Sequence, residues 1–264
     1  ILFESDEGIP ITAIREVESL KQCDHPNVVR LHDVLCNGMN MYLVMEHFDL
    51  DLRTYLRACG PLSDLKRLRA MARMCFRAIE HCHSHAIMHR DIKPDNFLVN
   101  ASTMHVKLAE FDLSRRFTFP SSVLTHDVVT LWYRPPEILL GQSVYGPLVD
   151  IWSMGVVFVE MASGRPVFAG SSEIETLFLI FRYLGTPTEE LWPGLSSLPY
   201  FKPTFPKWKA EGVENRLLPM SPGLGTSGLR LVMACLMYDS VQRPSARECA
   251  EHQFFMDGCD AVIG

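Results

Sequence analysis

The sequence lacks the features that would direct a chain to a membrane, to nucleic acid or to an oxidising compartment. No apolar run approaches the roughly 20 residues of a membrane-spanning helix, and the first residues, ILFESDEGIP, lack the basic start and small-residue cleavage site of a signal peptide. The net charge of -6 provides no basic surface for phosphate backbones or anionic lipid. The eight cysteines include no CxxC pair and are expected to be reduced. We therefore expect an intracellular protein, in the nucleus or the cytoplasm, that binds neither nucleic acid nor membranes.

The chain does contain a clear succession of helical and strand patterns. IPITAIREVESLK, residues 9–21, predicts a helix that starts at Pro10. Ile14 and Glu16 lie about 200° apart around this helix, so they must face different partners. NVVRLHDVL and MYLVMEHF predict two strands that form a hairpin or lie adjacent in a sheet.

From about residue 51 the patterns become mainly helical. Long helices are predicted for LSDLKRLRAMARMCFRAIEHCHSH, LVDIWSMGVVFVEMAS, SEIETLFLIFRYLG and GLRLVMACLM. Two short strands, NFLVN and HVKLAE, follow the first of these helices. Residues 110–137 show no periodicity and are interpreted as a long functional loop.

The motif HRDIKPDN, residues 89–96, carries the strongest chemical signal in the sequence. It places a carboxylate at Asp91, an ammonium at Lys93 and an amide at Asn96 on one loop. Phosphoryl transfer can use these groups as base, charge clamp and metal ligand. A chance acid at a helix end is a much weaker explanation.

Two other motifs suggest binding modules, but their contexts argue against them. GLGTSG, residues 223–228, matches the glycine pattern of a dinucleotide-binding turn, yet prolines precede it, so we interpret it as a flexible loop before a helix. HCHSHAIMH gathers histidines at a helix end without the carboxylate or second cysteine pair that would complete a zinc site. A metal- or dinucleotide-binding module is therefore the least favoured interpretation.

Taken in order, the motifs resemble those of a eukaryotic protein kinase of the cyclin-dependent family over essentially the whole chain. PITAIRE resembles its cyclin-contacting helix, HRDIKPDN its catalytic loop, THDVVTLWYRPPE its activation segment, VDIWSMGVVFVEM the helix beneath that segment, and SEIETLFLIFRYLGTP with FPKW its insert. Some stretches are similar to the neuronal-type member and others to cell-cycle members. The implied fold is α+β and bilobal, with residues 1–48 as a partial N-lobe and residues 49–264 as a mainly helical C-lobe.

The resemblance implies ATP-dependent phosphorylation of protein Ser or Thr residues. Asp91 would orient the substrate hydroxyl and accept its proton, Lys93 would neutralise charge on the moving phosphoryl group, and Asn96 would hold Mg²⁺. Thr130 closing on this loop is the pattern of Ser/Thr kinases. The implied nucleotide-binding residues are Glu16, Met45, Glu46, Phe48, Asp51 and Leu98.

The resemblance also implies control by phosphorylation and by a cyclin-like subunit. Thr125 stands at the activating phosphorylation position, where Arg15, Arg90 and Arg115 would gather around the phosphate. Ile14 would contact the cyclin-like subunit.

Further positions match the substrate platform and structural supports of the family. Val128, Val129 and Arg134 match the family's platform that prefers proline after the target residue; the resemblance implies that the Val129 carbonyl would turn towards Arg134 and offer nothing to a backbone N–H. Substrates with Ser-Pro or Thr-Pro are therefore expected. The implied structural residues are Glu137 and Arg243, which would tie the activation segment to the C-lobe, and Asp150, which would brace the catalytic loop.

Two departures from the family pattern bear on activity. In LAEFDLSRR, residues 108–116, Glu110 stands where the family has its metal-binding aspartate, and Asp112 replaces a glycine. The added methylene of Glu110 disturbs the strict geometry that Mg²⁺ requires, and Mn²⁺ should tolerate the change better. The 264 residues also contain no glycine-rich loop or strand lysine to pair with Glu16, so we expect an N-terminally truncated kinase domain that is inactive alone. The alternative is a pseudokinase that binds a cyclin or a substrate without turnover.

Overall fold

Strands and helices are segregated along the chain, with a small strand-rich lobe first and a larger helical lobe after it. A computed structural model describes residues 10–37, 40–117, 130–212, 215, 219 and 224–256. The segregation confirms the bilobal α+β prediction. The predicted lobe boundary between residues 48 and 49 stays a prediction.

The first lobe contains one helix and one hairpin. Helix α1, Ile11–Gln22, begins after Pro10 and ends at Cys23, whose amide donates to the carbonyls of Ser19 and Leu20. Strands β1, Leu31–Asn37, and β2, Asn40–Met45, pair antiparallel, with a shift of register between Leu31 and Asp33. Of the two predicted arrangements, the structure therefore has the hairpin.

The predicted first strand starts too early. Residues 27–29 do not extend β1, because their backbone groups pair outside the hairpin. The amide of Val29 donates to the carbonyl of Leu108 at 2.8 Å, and the amide of Leu108 donates to the carbonyl of Asn27 at 2.8 Å. This segment thereby ties the first lobe to the strand that leads into Glu110.

The second lobe contains two small sheets. Strands β3, Leu50–Asp51, β5, Phe97–Val99, and β6, Val106–Leu108, form an antiparallel sheet with β5 in the centre. Strands β4, Ile87–Met88, and β7, Arg115–Arg116, form a separate antiparallel pair. Residues 89–96 connect β4 to β5, so the two sheets fix both ends of the HRDIKPDN loop.

Helices make up most of the second lobe. The described helices are α2 (Leu52–Cys59), α3 (Leu65–Ser84), α4 (Pro136–Leu139), α5 (Leu148–Ser163), α6 (Glu173–Leu184), α7 (Gly225–Cys235), α8 (Ala246–Ala250) and α9 (Gln253–Met256). Short 3₁₀ turns lie at Pro94–Asn96, Leu131–Tyr133, Leu195–Ser197 and Ser240–Gln242. Every residue of α5 from Val149 to Ser163 is buried, as expected for a helix that is apolar on all sides and lies in a core.

One interpretation of the sequence is wrong at GLGTSG. Residues 225–228 already belong to the first turn of α7 rather than to a flexible loop. A side chain at Gly228 would lie 2.6 Å from Leu224 and 2.9 Å from Phe254, so this glycine serves close helix packing.

The described ranges contain neither a candidate metal-binding cluster nor a candidate membrane-spanning helix. No three His, Cys, Asp or Glu side chains converge there on a metal position. No helix in these ranges is long and apolar enough to cross a membrane.

Candidate active site

One buried carboxylate holds the HRDIKPDN loop in place. Asp150, in the first turn of α5, accepts hydrogen bonds from the amide of His89 at 2.9 Å, the amide of Arg90 at 2.8 Å and Nε2 of His83 at 2.9 Å. Arg90 has a φ of 67°, a conformation uncommon for residues with a side chain, and the bond to its amide stabilises it. This contact set confirms that Asp150 braces the loop.

The ring of His89 orients the next part of the loop. Its Nε2 donates to the carbonyl of Ala109 at 2.9 Å, and its Nδ1 accepts from the amide of Asp91 at 3.3 Å. The ring also makes an edge contact with the fully buried Phe111, at a centroid distance of 4.9 Å. The segment that carries Glu110 is thereby fixed relative to Asp91.

The four residues predicted to be catalytic form one hydrogen-bonded cluster. Asn96 Nδ2 donates to the backbone oxygen of Asp91 at 2.7 Å and to its Oδ2 at 3.0 Å. Lys93 Nζ lies 2.6 Å from Asp91 Oδ2 and donates to Thr130 Oγ1 at 3.1 Å. The amide and hydroxyl of Thr130 donate to Asp91 Oδ1 at 3.1 and 3.0 Å. A single carboxylate is thus the shared acceptor of all three partners.

These contacts also set the charge of Asp91. Burial by itself would raise its pKa, but the hydrogen bond and charge of Lys93, with the bond from Asn96, outweigh burial and lower the pKa. Asp91 is therefore ionised at neutral pH, the form that can accept a proton.

A cleft of about 660 Å³ opens beside this cluster, and its lining includes Asp91, Asn96, Glu110 and Asp112. Both hydrogen bonds of the Asn96 side chain within the described structure are donated by Nδ2, which leaves its Oδ1 for a cation. Hard divalent cations prefer such oxygen ligands and take their remaining ligands from water and phosphate. The residues present therefore fit a divalent cation that arrives with a nucleotide.

Glu110 has an unusual backbone conformation for its residue type. Its φ is 60°, in the left-handed region, where Asp and Asn are several-fold enriched and longer side chains are uncommon. Glu110 also contributes to a concentration of negative charge. Burial first, and then the charges of Glu110 and Asp112, raise the pKa of Glu16 in α1 to about 7. The three carboxylates therefore repel one another, and a bound cation would relieve that repulsion.

Comparison with known families decides the class of the protein. A family described as the protein kinase domain matches residues 3–255. The chain belongs to the protein kinase family. Protein kinases transfer a phosphoryl group from ATP to proteins with the help of a divalent metal, so the cleft beside Asp91 is the candidate active site of a kinase.

Three of the predicted nucleotide-binding residues of this kinase, Met45, Glu46 and Phe48, lie along the connection between the lobes. Met45 ends β2, and the side chain of Glu46 accepts from the amide of Arg30 at 2.6 Å and from Lys107 Nζ at 2.6 Å. The Phe48 ring lies 5.8 Å from Lys107 Nζ. These contacts occupy the side chain of Glu46, so any bond to adenine there would come from the backbone.

The last two predicted nucleotide-binding residues face each other in the sheet. Asp51 of β3 is paired with Leu98 of β5. The Asp51 carboxylate caps α2, accepting from the amide of Thr54 at 2.7 Å and from its hydroxyl at 2.8 Å. Its predicted position near a ribose stays a prediction.

The three predicted phosphate-binding arginines of the kinase are close in space. Arg115 has a lowered pKa because of burial and the neighbouring charges of Arg15 and Arg90. Arg15 and Arg115 line a pocket of about 240 Å³, and Arg90 donates to the carbonyl of Leu113 at 2.8 Å. Their predicted phosphate acceptor, Thr125, lies outside the described residues.

The predicted substrate platform is only partly described. Val128 and Val129 lie outside the described residues, whereas Arg134 forms an ion pair with Glu173. Behind it, Arg243 and Glu137 form the predicted pair, with two parallel bonds of 2.6 and 2.7 Å between buried groups.

The predicted cyclin-contacting residue lies on the open side of α1. Ile14 is 51% exposed, and Glu16, which faces the cleft, is 9% exposed. Ile11 lies one turn from Ile14 and is also exposed. Among the residues that the structure describes, none covers this apolar patch of Ile11 and Ile14.

Sequence reasoning missed one group of residues at the cleft wall. Arg53, Asp95, Tyr133 and Glu160 form a bonded network there. Asp95 lies inside the HRDIKPDN motif, but the other members of the network come from three other segments of the chain. No local sequence pattern therefore predicts the network.

Proposed function

We propose that this kinase is an ATP-dependent, proline-directed Ser/Thr kinase that acts together with a cyclin-like subunit, with Mg²⁺ or Mn²⁺ as the cation. The observation that carries the proposal is the cluster in which Lys93 and Thr130 both bond to Asp91. A substrate hydroxyl that displaces the Thr130 hydroxyl would meet an ionised carboxylate and an ammonium at once.

The cluster supports a simple division of labour. Asp91 orients the substrate hydroxyl and accepts its proton as the hydroxyl oxygen bonds to the γ-phosphorus and the bond to ADP breaks. Lys93 neutralises charge on the transferred group. The cation, which Asn96 and Glu110 would hold, supplies further charge neutralisation on the phosphate oxygens.

Regulation by a partner and by phosphorylation is supported by two surfaces. Ile11 and Ile14 give α1 an apolar patch that the other described residues leave exposed, of the kind that marks a protein interface. The close approach of Arg15 and Arg115 provides guanidinium groups that a phosphate on Thr125 could bridge with charge-assisted bonds.

The test is phosphorylation of peptides by a form of the chain that is extended at its N-terminus with a glycine-rich loop and a strand lysine and is co-expressed with a cyclin-like subunit. We expect a Ser-Pro peptide to be phosphorylated at least tenfold faster than its Ser-Ala counterpart, because proline has no N–H to leave unpaired. Asp91→Asn should abolish activity without preventing folding. Equal rates on the two peptides would contradict the proline-directed part of the proposal.

A pseudokinase remains the second candidate because of Glu110 and Asp112. The left-handed backbone at Glu110 disfavours a long side chain, and the nearby carboxylates add repulsion. This candidate is supported if Glu110→Asp combined with Asp112→Gly stays inactive in a chain restored at its N-terminus, with the cyclin-like subunit bound, Thr125 phosphorylated and Mn²⁺ supplied.

A further inference from the structure

One wall of the cleft beside Asp91 contains the guanidinium group of Arg53, which is enclosed by two carboxylates and two aromatic rings. The side chain of Arg53, from the first turn of α2, is 13% exposed. Its Nε donates to both carboxylate oxygens of Asp95 at 2.8 and 2.9 Å. Its Nη1 donates to Glu160 at 3.3 Å and its Nη2 to the hydroxyl of Tyr133 at 2.6 Å.

The pocket around this guanidinium has the features that recognise an arginine. The carboxylates of Asp95 and Glu160, from two different segments, contact it. The ring centroids of Trp132 and Tyr133 lie 5.9 and 5.8 Å from Arg53 Cζ. Carboxylates in a fork geometry and aromatic faces are the preferred partners of guanidinium groups. The Tyr133 hydroxyl in turn donates to Glu160 at 2.7 Å, which completes the network.

The carboxylates depend on Arg53 to different degrees. Glu160 is 5% exposed, and burial raises its pKa although Tyr133 and Arg53 act in the opposite direction. Asp95 is 43% exposed, and Arg53 outweighs the effect of burial and lowers its pKa. Without Arg53, the buried Glu160 would lose its ion-pair partner and keep only the more distant charge of Arg57.

The position of the pocket connects it with protein substrates. Arg53, Asp95 and Trp132 line the same cleft as Asp91 and Thr130. A residue near the target hydroxyl of a bound peptide would therefore lie against this wall. With Arg53 in place, Asp95 and Glu160 are already paired with a guanidinium group of the chain itself.

We propose that Arg53 fills an arginine-binding pocket from within the chain and thereby prevents selection of a basic substrate residue at this wall. Removing Arg53 would open the pocket to an external guanidinium group. The statement on selectivity rests on the proposed kinase function, whereas the statement on the pocket does not.

The first experiment tests the pocket by chemical complementation. Arg53→Ala should lower the thermal unfolding midpoint by several degrees, and millimolar ethylguanidinium should restore at least half of that loss. Ethylammonium at the same concentration should restore much less, because it lacks the planar fork. Arg182→Ala is the matched control, since the pair of Arg182 with Glu211 is half exposed.

The result decides the proposal whether or not the enzyme is active. If ethylguanidinium shifts Arg53→Ala no more than it shifts the wild type and Arg182→Ala, the pocket is not an arginine site. If Arg53→Ala does not fold, Arg53→Gln takes its place, because it removes the charge with a smaller loss of volume.

The second experiment tests selectivity with a peptide library. Relative to the wild type, Arg53→Ala should gain at least about a tenfold preference for arginine over alanine at one position near the target residue, as one buried charge-assisted bond allows. An active variant with an unchanged preference would overturn the selectivity statement. Inactivity of every form, including the wild type, would instead count against the proposed function and leave the complementation result standing.

Discussion

The brace of the catalytic loop provides the sharpest test of the structure, through Asp150→Asn. The carboxylate accepts from three donors, two of them the backbone amides of His89 and Arg90. Asparagine keeps one acceptor oxygen and turns an NH₂ group towards at least one N–H. One lost charge-assisted bond of about 1.5–3 kcal/mol and one unpaired buried N–H of about 1–3 kcal/mol together suggest a loss of about 3–5 kcal/mol.

Urea unfolding at pH 7 measures this loss, and the thermal midpoint should fall by roughly 6–20 °C at about 2–4 °C per kcal/mol. Asp33→Asn is the control, because that exposed carboxylate accepts only from the amide of the next residue. The control should change the free energy of unfolding by less than about 0.5 kcal/mol. A loss below about 1 kcal/mol for Asp150→Asn would refute the assignment of the brace.

The pH dependence of the same variant adds a second criterion. The pKa of Asp150 is lowered in the folded state by His83, His89 and the amide of Arg90, against the effect of burial. Its contribution to stability is therefore present above the unfolded pKa of about 3.9 and is lost as the pH falls through the lower folded pKa. The difference between wild type and variant should shrink as the pH falls below 4, and a difference that grows there would contradict the sign.

Three further predictions concern the cleft and the partner surface. Ile14→Asp should abolish binding to a cyclin-like subunit in a pull-down, while Lys21→Asp, on the last turn of the same helix, should not; equal loss in both would argue against a specific patch. Glu110→Asp should raise turnover more than Asp112→Gly, and the enzyme without either substitution should prefer Mn²⁺ to Mg²⁺. A steady-state assay with each metal checks both expectations. A larger gain from Asp112→Gly than from Glu110→Asp would contradict the role of Glu110 as a metal ligand. Glu16→Gln should stabilise the chain more at pH 8 than at pH 5 in urea unfolding. The pKa of Glu16 is raised to about 7, so the wild type loses stability as the pH rises through that value. A gain in stability that is equal at both pH values would be inconsistent with a titrating Glu16.

Local patterns predicted the elements whose limits are set by neighbours in sequence. Helix α5 has the predicted bounds, because an apolar run follows Pro147 and ends at Gly164, whose φ is 71°. The cluster around Asp91 was also predictable, since Lys93 and Asn96 lie on the same loop. Asn27 and Val29 were misassigned to the first strand because their backbone partner is Leu108, about 80 positions away in the chain.

Other features of the site depend on contacts that no local pattern encodes. The network of Arg53 joins residues from four segments, and its bond to Glu160 spans 107 positions. The left-handed backbone at Glu110 likewise cannot be read from its residue type, which disfavours that conformation. The network of Arg53 and the backbone of Glu110 therefore depend on long-range packing, which local sequence patterns do not predict.

The burial of helix α5 has a consequence for how the cleft tolerates insertions and deletions. This helix carries Asp150 in its first turn and Glu160 towards its other end, so it sets the spacing between the brace of the loop and the acidic pocket at roughly 15 Å. One inserted residue between them would rotate Glu160 by about 100° away from Arg53 and Tyr133. Core packing on every side leaves no room to absorb that rotation. Helix α5 thus fixes the distance between Asp150 and Glu160. Inserting or deleting a residue in this helix should therefore disrupt the cleft more than substituting most of its residues.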